Sequence, residues 1–482
     1  MRLTKTLILG FGLVMFGSTA CKKDLTKSPS NAVDVEQAFK TENDFQNAAK
    51  GIYQRIAFQQ GYYGGDMIIV PDLLADNLIT NANGRGTFLN TSRWLYNGDN
   101  TISLFSSGYN IIRATNGLLE NINNGVLSGT VKDNLKGEAL ALRAWVHFDI
   151  ARMFAKVPTN PINPAVDLGI PYVTSTEISA LPPRESIADD YNKIVKDLTD
   201  ALPLVTTSTS TVANGRINKA AVAGILAKVY LYMAKYQEAA DAATTSLNLN
   251  SNVGKRANLQ GIFKDATNEG VLFKTRILDK DRITIGVNYS QTVGGSVKSE
   301  FVATKDFYDM YSADDIRKSV YFQVSPYQGV LQNHIAKYFG RATGNLNTVD
   351  AKVLRVADVL LIRAESYARL NKLTEALADL NALKAERYAN YVPFVGTQQQ
   401  VLDEILKERR LELAFEGDRF FDLKRLNLPV SRNPNYGDKA DGSGNKFPSY
   451  ALTLPAGDYR FQLPIPQTEI NVNPNFKQNP GY

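Results

Sequence analysis

The sequence predicts an all-α body of helix pairs stacked in a superhelix, with long irregular, loop-rich insertions and little β structure. Three observations carry that expectation. Apolar residues recur at three- and four-residue steps through most of the chain, and residues 220–250 and 354–387 read as two helix hairpins. Between them, residues 251–350 lose helical period and gain Gly, Asn, Ser and aromatic residues. One helix pair cannot bury its own apolar face, so pairs must stack, and the periodic segments suffice for about four of them.

The first helix follows from Phe39, Phe45, Ala48, Ala49, Ile52 and Ile56, which share a stripe in a pattern that begins near Val35. A Gly- and Asn-rich stretch, residues 61–86, is expected to break it as a loop. Helices are next predicted over residues 102–121 and 131–154; in the second, Leu135, Leu142, Val146, Ile150 and Met153 share a face. A Pro-rich connection over 158–183 precedes a helix over 186–204, opened by a Ser186 cap, and the Ser/Thr run 206–211 reads as a surface loop. In the first hairpin Leu226, Ala227, Tyr230, Tyr236, Ala239 and Leu247 fall where a tetratricopeptide repeat places its Leu, small residue, Tyr, second aromatic, Ala and closing Leu. The same logic returns at Leu360, Leu361, Ala364, Tyr367, Leu373, Ala376, Leu380 and Leu383. Alternation over 283–289 predicts a strand. A charged amphipathic helix over 401–415, Gly417, a short helix through Leu426 and a Pro- and Asn-rich tail from Phe461 close the chain.

The first twenty residues are a secretory signal peptide. Arg2 and Lys5 precede an apolar run from Leu7 to Phe16 that ends in Gly17, Ser18, Thr19 and Ala20. That apolar core is about ten residues long, against the roughly twenty a membrane-crossing helix needs. Cys21 is the only cysteine and directly follows Ala20, where a lipoprotein peptidase would cut. It is expected to carry acyl chains that anchor the protein to a membrane surface without spanning it. Residues 21–31 are polar and aperiodic, a flexible tether, and residues 32–482 are expected to form a single helical body.

Several function classes find little support. The formal net charge is only +6, with Arg2 and Lys5 in the leader, and basic tracts are missing, which argues against nucleic acid. His147 and His334 are the only histidines, so zinc or Ser-His chemistry is poorly supported and no cofactor or metal is expected. Gly61 to Gly65 reads as a loop without the Lys-Ser or Lys-Thr of a phosphate cradle. Glu412 and Glu416 share a helix face and would suit a hydrolase pair, yet their spacing is that of ordinary charged helices. Trp145 and Phe148 are expected to pack in the core.

Six ordered segments resemble the SusD/RagB family of lipoproteins. They are Phe105, Tyr109, Ile112 and Asn116; Gly137-Glu138-Ala139 with Leu142-Arg143-Ala144 and Val157-Pro158; and Pro183-Arg184 with Tyr191, Ile194 and Asp197-Leu198. Further on come Leu354-Arg355 with Ala357 to Leu361 and Ala364-Glu365; Glu408 to Gly417 with Arg419, Phe421-Asp422-Leu423 and Arg425; and the ending from Leu463 to Tyr482. The resemblance implies a tetratricopeptide-like helical body, lipid-anchored at the outer membrane and facing the cell exterior, that captures glycans, or sometimes peptides, for a SusC-like TonB-dependent transporter. A tetratricopeptide-type scaffold for peptides or proteins is the alternative, and a surface glycoside hydrolase a more distant one.

Sugar binding needs flat aromatic faces with amide, carboxylate or guanidinium groups at the rim, which loops supply best. Two regions have that mixture. The first offers Tyr62, Tyr63, Asp66, Asn83, Arg85, Arg93 and Trp94; the second offers Tyr289, Tyr308, Tyr321 and Tyr327. The resemblance implies loops as the general location, not these identities.

Overall fold

A computed structural model describes residues 38–58, 62–281, 285–341 and 344–482. The signal peptide, Cys21 and the tether lie outside the described residues, as do Val35, Gly61 and Ile283. The fold is all-α with little β: strands of two to six residues pair only as short antiparallel two-stranded ribbons among the described residues.

Helices α1 (Glu42–Phe58), α2 (Met67–Leu74), α3 (Leu89–Ser92), α4 (Leu104–Asn121), α5 (Gly129–Phe154) and α6 (Ile187–Ala201) build the first part of the body. The first hairpin is α7 (Lys219–Tyr232) with α8 (Tyr236–Leu249), followed by short α9 (Leu259–Phe263), α10 (Lys305–Asp309) and α11 (Ile316–Tyr321). The second hairpin is α12 (Val356–Arg369) with α13 (Leu373–Ala385), and α14 (Gln398–Glu412), α15 (Arg419–Arg425) and α16 (Gln467–Val472) end the chain. Neighbours stack in sequence: α4 on α5, α5 on α6, α6 on α7, α7 on α8, α8 on α12, and α12 on both α13 and α14.

Local chemistry explains the boundaries. Thr41 opens α1 by accepting the Asp44 N–H at 3.2 Å, while Asp44 accepts the Thr41 N–H at 2.8 Å, two otherwise orphaned donors satisfied reciprocally. Its inward stripe is Phe45, Ala49, Ile52 and Ile56. Helix α6 starts at the expected Ser186, whose hydroxyl accepts the Asp189 N–H at 3.0 Å. The expected hairpins form, and the Ser246 hydroxyl donates to the Ala220 carbonyl at 2.7 Å, tying α8 to α7. A Cβ on Gly224 would lie 2.8 Å from Val359 Cγ2, so only glycine lets α7 approach α12 this closely.

Three expectations need correction. Residues 61–86 do not form a plain loop: Tyr62–Asp66 makes one π-type turn that runs into α2, and all eight residues of α2 are buried. A helix apolar on every side shows no amphipathic period and reads as a buried run. Residues 285–287, in the segment expected to be a strand, form a 3-10 turn. Segment 251–350 is also less irregular than expected, because its described residues contain six short strands, all but one pairing within the segment or with Leu78–Thr80, and α9 to α11.

The Arg- and Glu-rich segment 408–425 is the electrostatic centre of the fold. Glu412 accepts from Arg387 Nε at 2.8 Å, Arg355 Nη1 at 2.7 Å and Arg317 Nη1 at 3.2 Å, all fully buried. Burial pushes its carboxyl up, but these three guanidinium groups outweigh it and hold Glu412 well below the usual carboxylate range. Glu416 accepts from Arg355 Nε at 2.8 Å and Lys337 Nζ at 2.5 Å. The pair that spacing made a hydrolase candidate is thus spent on tying the end of α14 and the turn after it to the guanidinium groups of Arg355 and Arg387.

Candidate functional site

Most of the aromatic candidates are core residues, which corrects the expectation that they meet a ligand. Tyr62 and Tyr63 are buried, their hydroxyls donating to Asp149 Oδ2 at 3.1 and 2.9 Å, and Trp145 Nε1 donates to the Tyr63 hydroxyl at 2.9 Å. Tyr289 is fully buried and stacks on Tyr338 at 5.7 Å between centroids. Tyr321, equally buried, donates to the Glu412 carbonyl at 3.1 Å. Tyr308 and Tyr327 are partly buried beside Lys318 and Lys298. Asp66 closes the π-type turn, where burial lifts its carboxyl to about 7. Rings clustered in a loop-rich segment bury against one another because that removes the most apolar surface from water.

Arg85 and Arg93 do meet, as walls of a polar cleft of about 410 Å³. Its two sides come from opposite ends of the chain: residues 79–93, which include α3, and residues 445–448. Asp438 joins them. Its Oδ2 accepts the Ala82 N–H at 2.7 Å and its Oδ1 accepts the Asn445 N–H at 2.8 Å, so one buried carboxylate sets both walls. A Cβ on Gly444 would lie 2.2 Å from Asp438 Oδ1, and the backbone there has φ +95°, so the turn requires glycine.

The floor is a buried amide network. Asn81 Nδ2 donates to Gln332 Oε1 at 2.9 Å and to the Ser299 carbonyl at 2.8 Å, while Gln332 Nε2 donates back to Asn81 Oδ1 at 2.6 Å. Asn83 lies beside the cleft and its N–H donates to Asn81 Oδ1 at 3.0 Å. Beneath, the Ser299 hydroxyl lies 2.7 Å from His334 Nδ1, with both residues fully buried. The other ring nitrogen of His334 lies 3.2 Å from the Ser325 carbonyl, so this is a structural contact rather than a nucleophile facing a cavity. Glu300, also buried, accepts the Arg85 N–H at 2.6 Å and pairs with Arg85 Nε at 3.1 Å.

Phe447 supplies the aromatic face. The guanidinium of Arg432 lies 4.3 Å from the Phe447 centroid and 4.1 Å from that of Trp94, forming a three-layer stack. Four carbonyls, of Leu73, Ala75, Ser92 and Ala451, accept from this guanidinium at 2.7 to 3.1 Å. Burial pulls Arg432 down to about 9, so it remains cationic at neutral pH. Trp94 is the inner layer, 2% exposed, with φ +58° and its indole N–H on the Leu74 carbonyl at 3.0 Å. Phe447 is the outer layer, half-buried, and lines the cleft. Sequence reasoning found Trp94, the support, and missed Phe447, Asn445, Lys446 and Glu300. The run Asn445-Lys446-Phe447, an amide and a cation beside an aromatic in a Gly-rich loop, was the available signal.

This geometry is that of a binding cleft on a helical scaffold. Two family models match separate parts of the chain: one described as the SusD family over residues 283–482, the other as starch-binding associating with the outer membrane over residues 25–231. The chain belongs to the SusD/RagB family. SusD-like protein P2 of Formosa agariphila is 24% identical over 516 residues, covering 95% of this chain and 96% of its own. A SusD superfamily protein of Bacteroides thetaiotaomicron superposes with a TM-score of 0.79 at 27% identity, covering 91% of this chain and 100% of its own. A putative sugar binding protein of Bacteroides vulgatus also gives 0.79, at 25% identity over 92% of this chain and 99% of its own.

Proposed function

We propose that this protein is a cell-surface lipoprotein that captures oligosaccharide in the Arg85–Phe447 cleft and passes it to a SusC-like TonB-dependent outer-membrane transporter. The observation that carries it is the Phe447 ring, held by the Arg432 stack at the edge of a cleft otherwise rich in amide and guanidinium donors. An aromatic face takes the apolar side of a sugar ring while rim donors take its hydroxyls. The likeness to a protein described as sugar binding, and to a family model described as starch-binding and outer-membrane-associated, supports the same reading. Lipidation at Cys21 would supply the anchor.

The role is capture without turnover. Among the described residues, the one carboxylate lining the cleft is that of Glu300, and it is committed to Arg85 and the Thr87 hydroxyl. Titration of the full-length, detergent-solubilised protein against an oligosaccharide panel is the test, with Phe447→Ala expected to lose about tenfold in affinity. Hydrolysis of a bound glycan would overturn the capture role, and a blank glycan panel alongside peptide binding would favour the scaffold reading. Cys21→Ala is expected to release the protein from membranes, and a β-barrel transporter is expected to co-purify with the wild type.

A further inference from the structure

The cleft carries charge that the protein itself does not neutralise. Among the described residues, three cations, Arg85, Arg93 and Lys446, line it, against the single carboxylate of Glu300. Glu300 is spent: Oε1 pairs with Arg85 Nε, and Oε2 accepts the Arg85 N–H and the Thr87 hydroxyl. Asp438, behind the wall, is spent on the Ala82 and Asn445 N–H groups. Among the described residues, the side chains of Arg93 and Lys446 make no hydrogen bond or ion pair, and neither is shielded: Arg93 is partly exposed and Lys446 exposed. At Gly86, where φ is +77°, nothing lies within 4 Å of where a Cβ would be, so the cleft is open beside Arg85.

Resting on the glycan-binding reading, we propose that this cleft selects anionic oligosaccharides, with Arg93 and Lys446 engaging carboxylate or sulfate groups along the chain. A guanidinium matches the paired oxygens of either group, and an ammonium serves as a point charge beside it. Phe447 then stacks on a ring while the two cations fix the position of its charged substituent. Uronate carboxylates and sulfate esters offer the same oxygens, and the test separates them.

The full-length protein in detergent is titrated with an oligogalacturonide, a sulfated dextran oligomer and a neutral maltooligosaccharide at low and high NaCl. Expected is at least tenfold tighter binding of one or both anionic ligands than of the neutral one, falling as salt rises. The better anionic ligand names the group. Arg93→Gln and Lys446→Gln are each expected to cost about tenfold for the anionic ligand, to cost the neutral ligand far less, and to flatten the salt dependence, with an unchanged thermal midpoint. Neutral binding equal to anionic binding overturns the selectivity and leaves the glycan reading standing. Anionic binding indifferent to both substitutions also overturns it. Silence toward all three ligands overturns the glycan reading together with it.

Discussion

Asn81 and Gln332 exchange two amide hydrogen bonds, at 2.9 and 2.6 Å, and so hold the loop that carries Arg85 against a ribbon strand 251 residues further on. Both side chains are buried, so removing one leaves the other without its partner. Gln332→Ala is expected to cost about 1–3 kcal/mol in urea unfolding and to weaken ligand capture as the loop loosens. A variant that unfolds at the wild-type midpoint would show that the pair contributes nothing.

Trp94 and Phe447 both pack on one guanidinium yet should answer differently to truncation. Trp94→Ala removes a fully enclosed ring and is expected to destabilise the protein by about 3–5 kcal/mol. Phe447→Ala, at the solvent edge, is expected to cost about 1 kcal/mol in stability, with its main effect on ligand affinity. Chemical denaturation beside ligand titration separates the two; equal destabilisation would contradict the layering.

Ala234 and Asn371 hold equivalent places in the two hairpin turns, with φ of +55° and +58°. Asn tolerates that left-handed region and Ala does not. Ala234→Gly is therefore expected to stabilise the protein by about 0.5–1 kcal/mol, seen as a higher thermal midpoint. A lower midpoint would mean the turn carries no strain.

Burial lowers His334 from 6.5 to about 4, so the folded protein leaves it neutral where the unfolded chain protonates it. Between about pH 6.5 and 4 the unfolded state binds more protons, and this group's contribution to stability falls as pH drops. The full loss amounts to about 3 kcal/mol. Asp72 and Asp190, lifted by burial to about 7 and 8, act in the opposite sense, so the difference between wild type and His334→Gln isolates the effect. The variant is expected to destabilise less on acidification, and parallel stability curves would rule this out.

The helices were legible because amphipathic stripes such as Phe45, Ala49, Ile52 and Ile56 show their period directly. Helix α2 was not, because its eight residues are buried on all sides and leave no polar face to reveal a period. The candidate site was half legible. Arg85 and Arg93 followed from loop composition, but no local pattern tells that Asp438 brings residue 445 to residue 82, or that Tyr289 is covered by Tyr338 while Phe447 stays at the surface. Exposure of a ring depends on contacts made tens to hundreds of residues away.

The carbonyl-clamped guanidinium of Arg432 works as a rivet driven through the scaffold, with Trp94 as its inner head and Phe447 as a replaceable washer. Changing that outermost ring to another planar side chain would, on the proposed reading, retune which ligand the cleft prefers while the rivet, and everything fastened by it, stays in place. Ligand preference at the proposed cleft can thus drift at little cost to foldability.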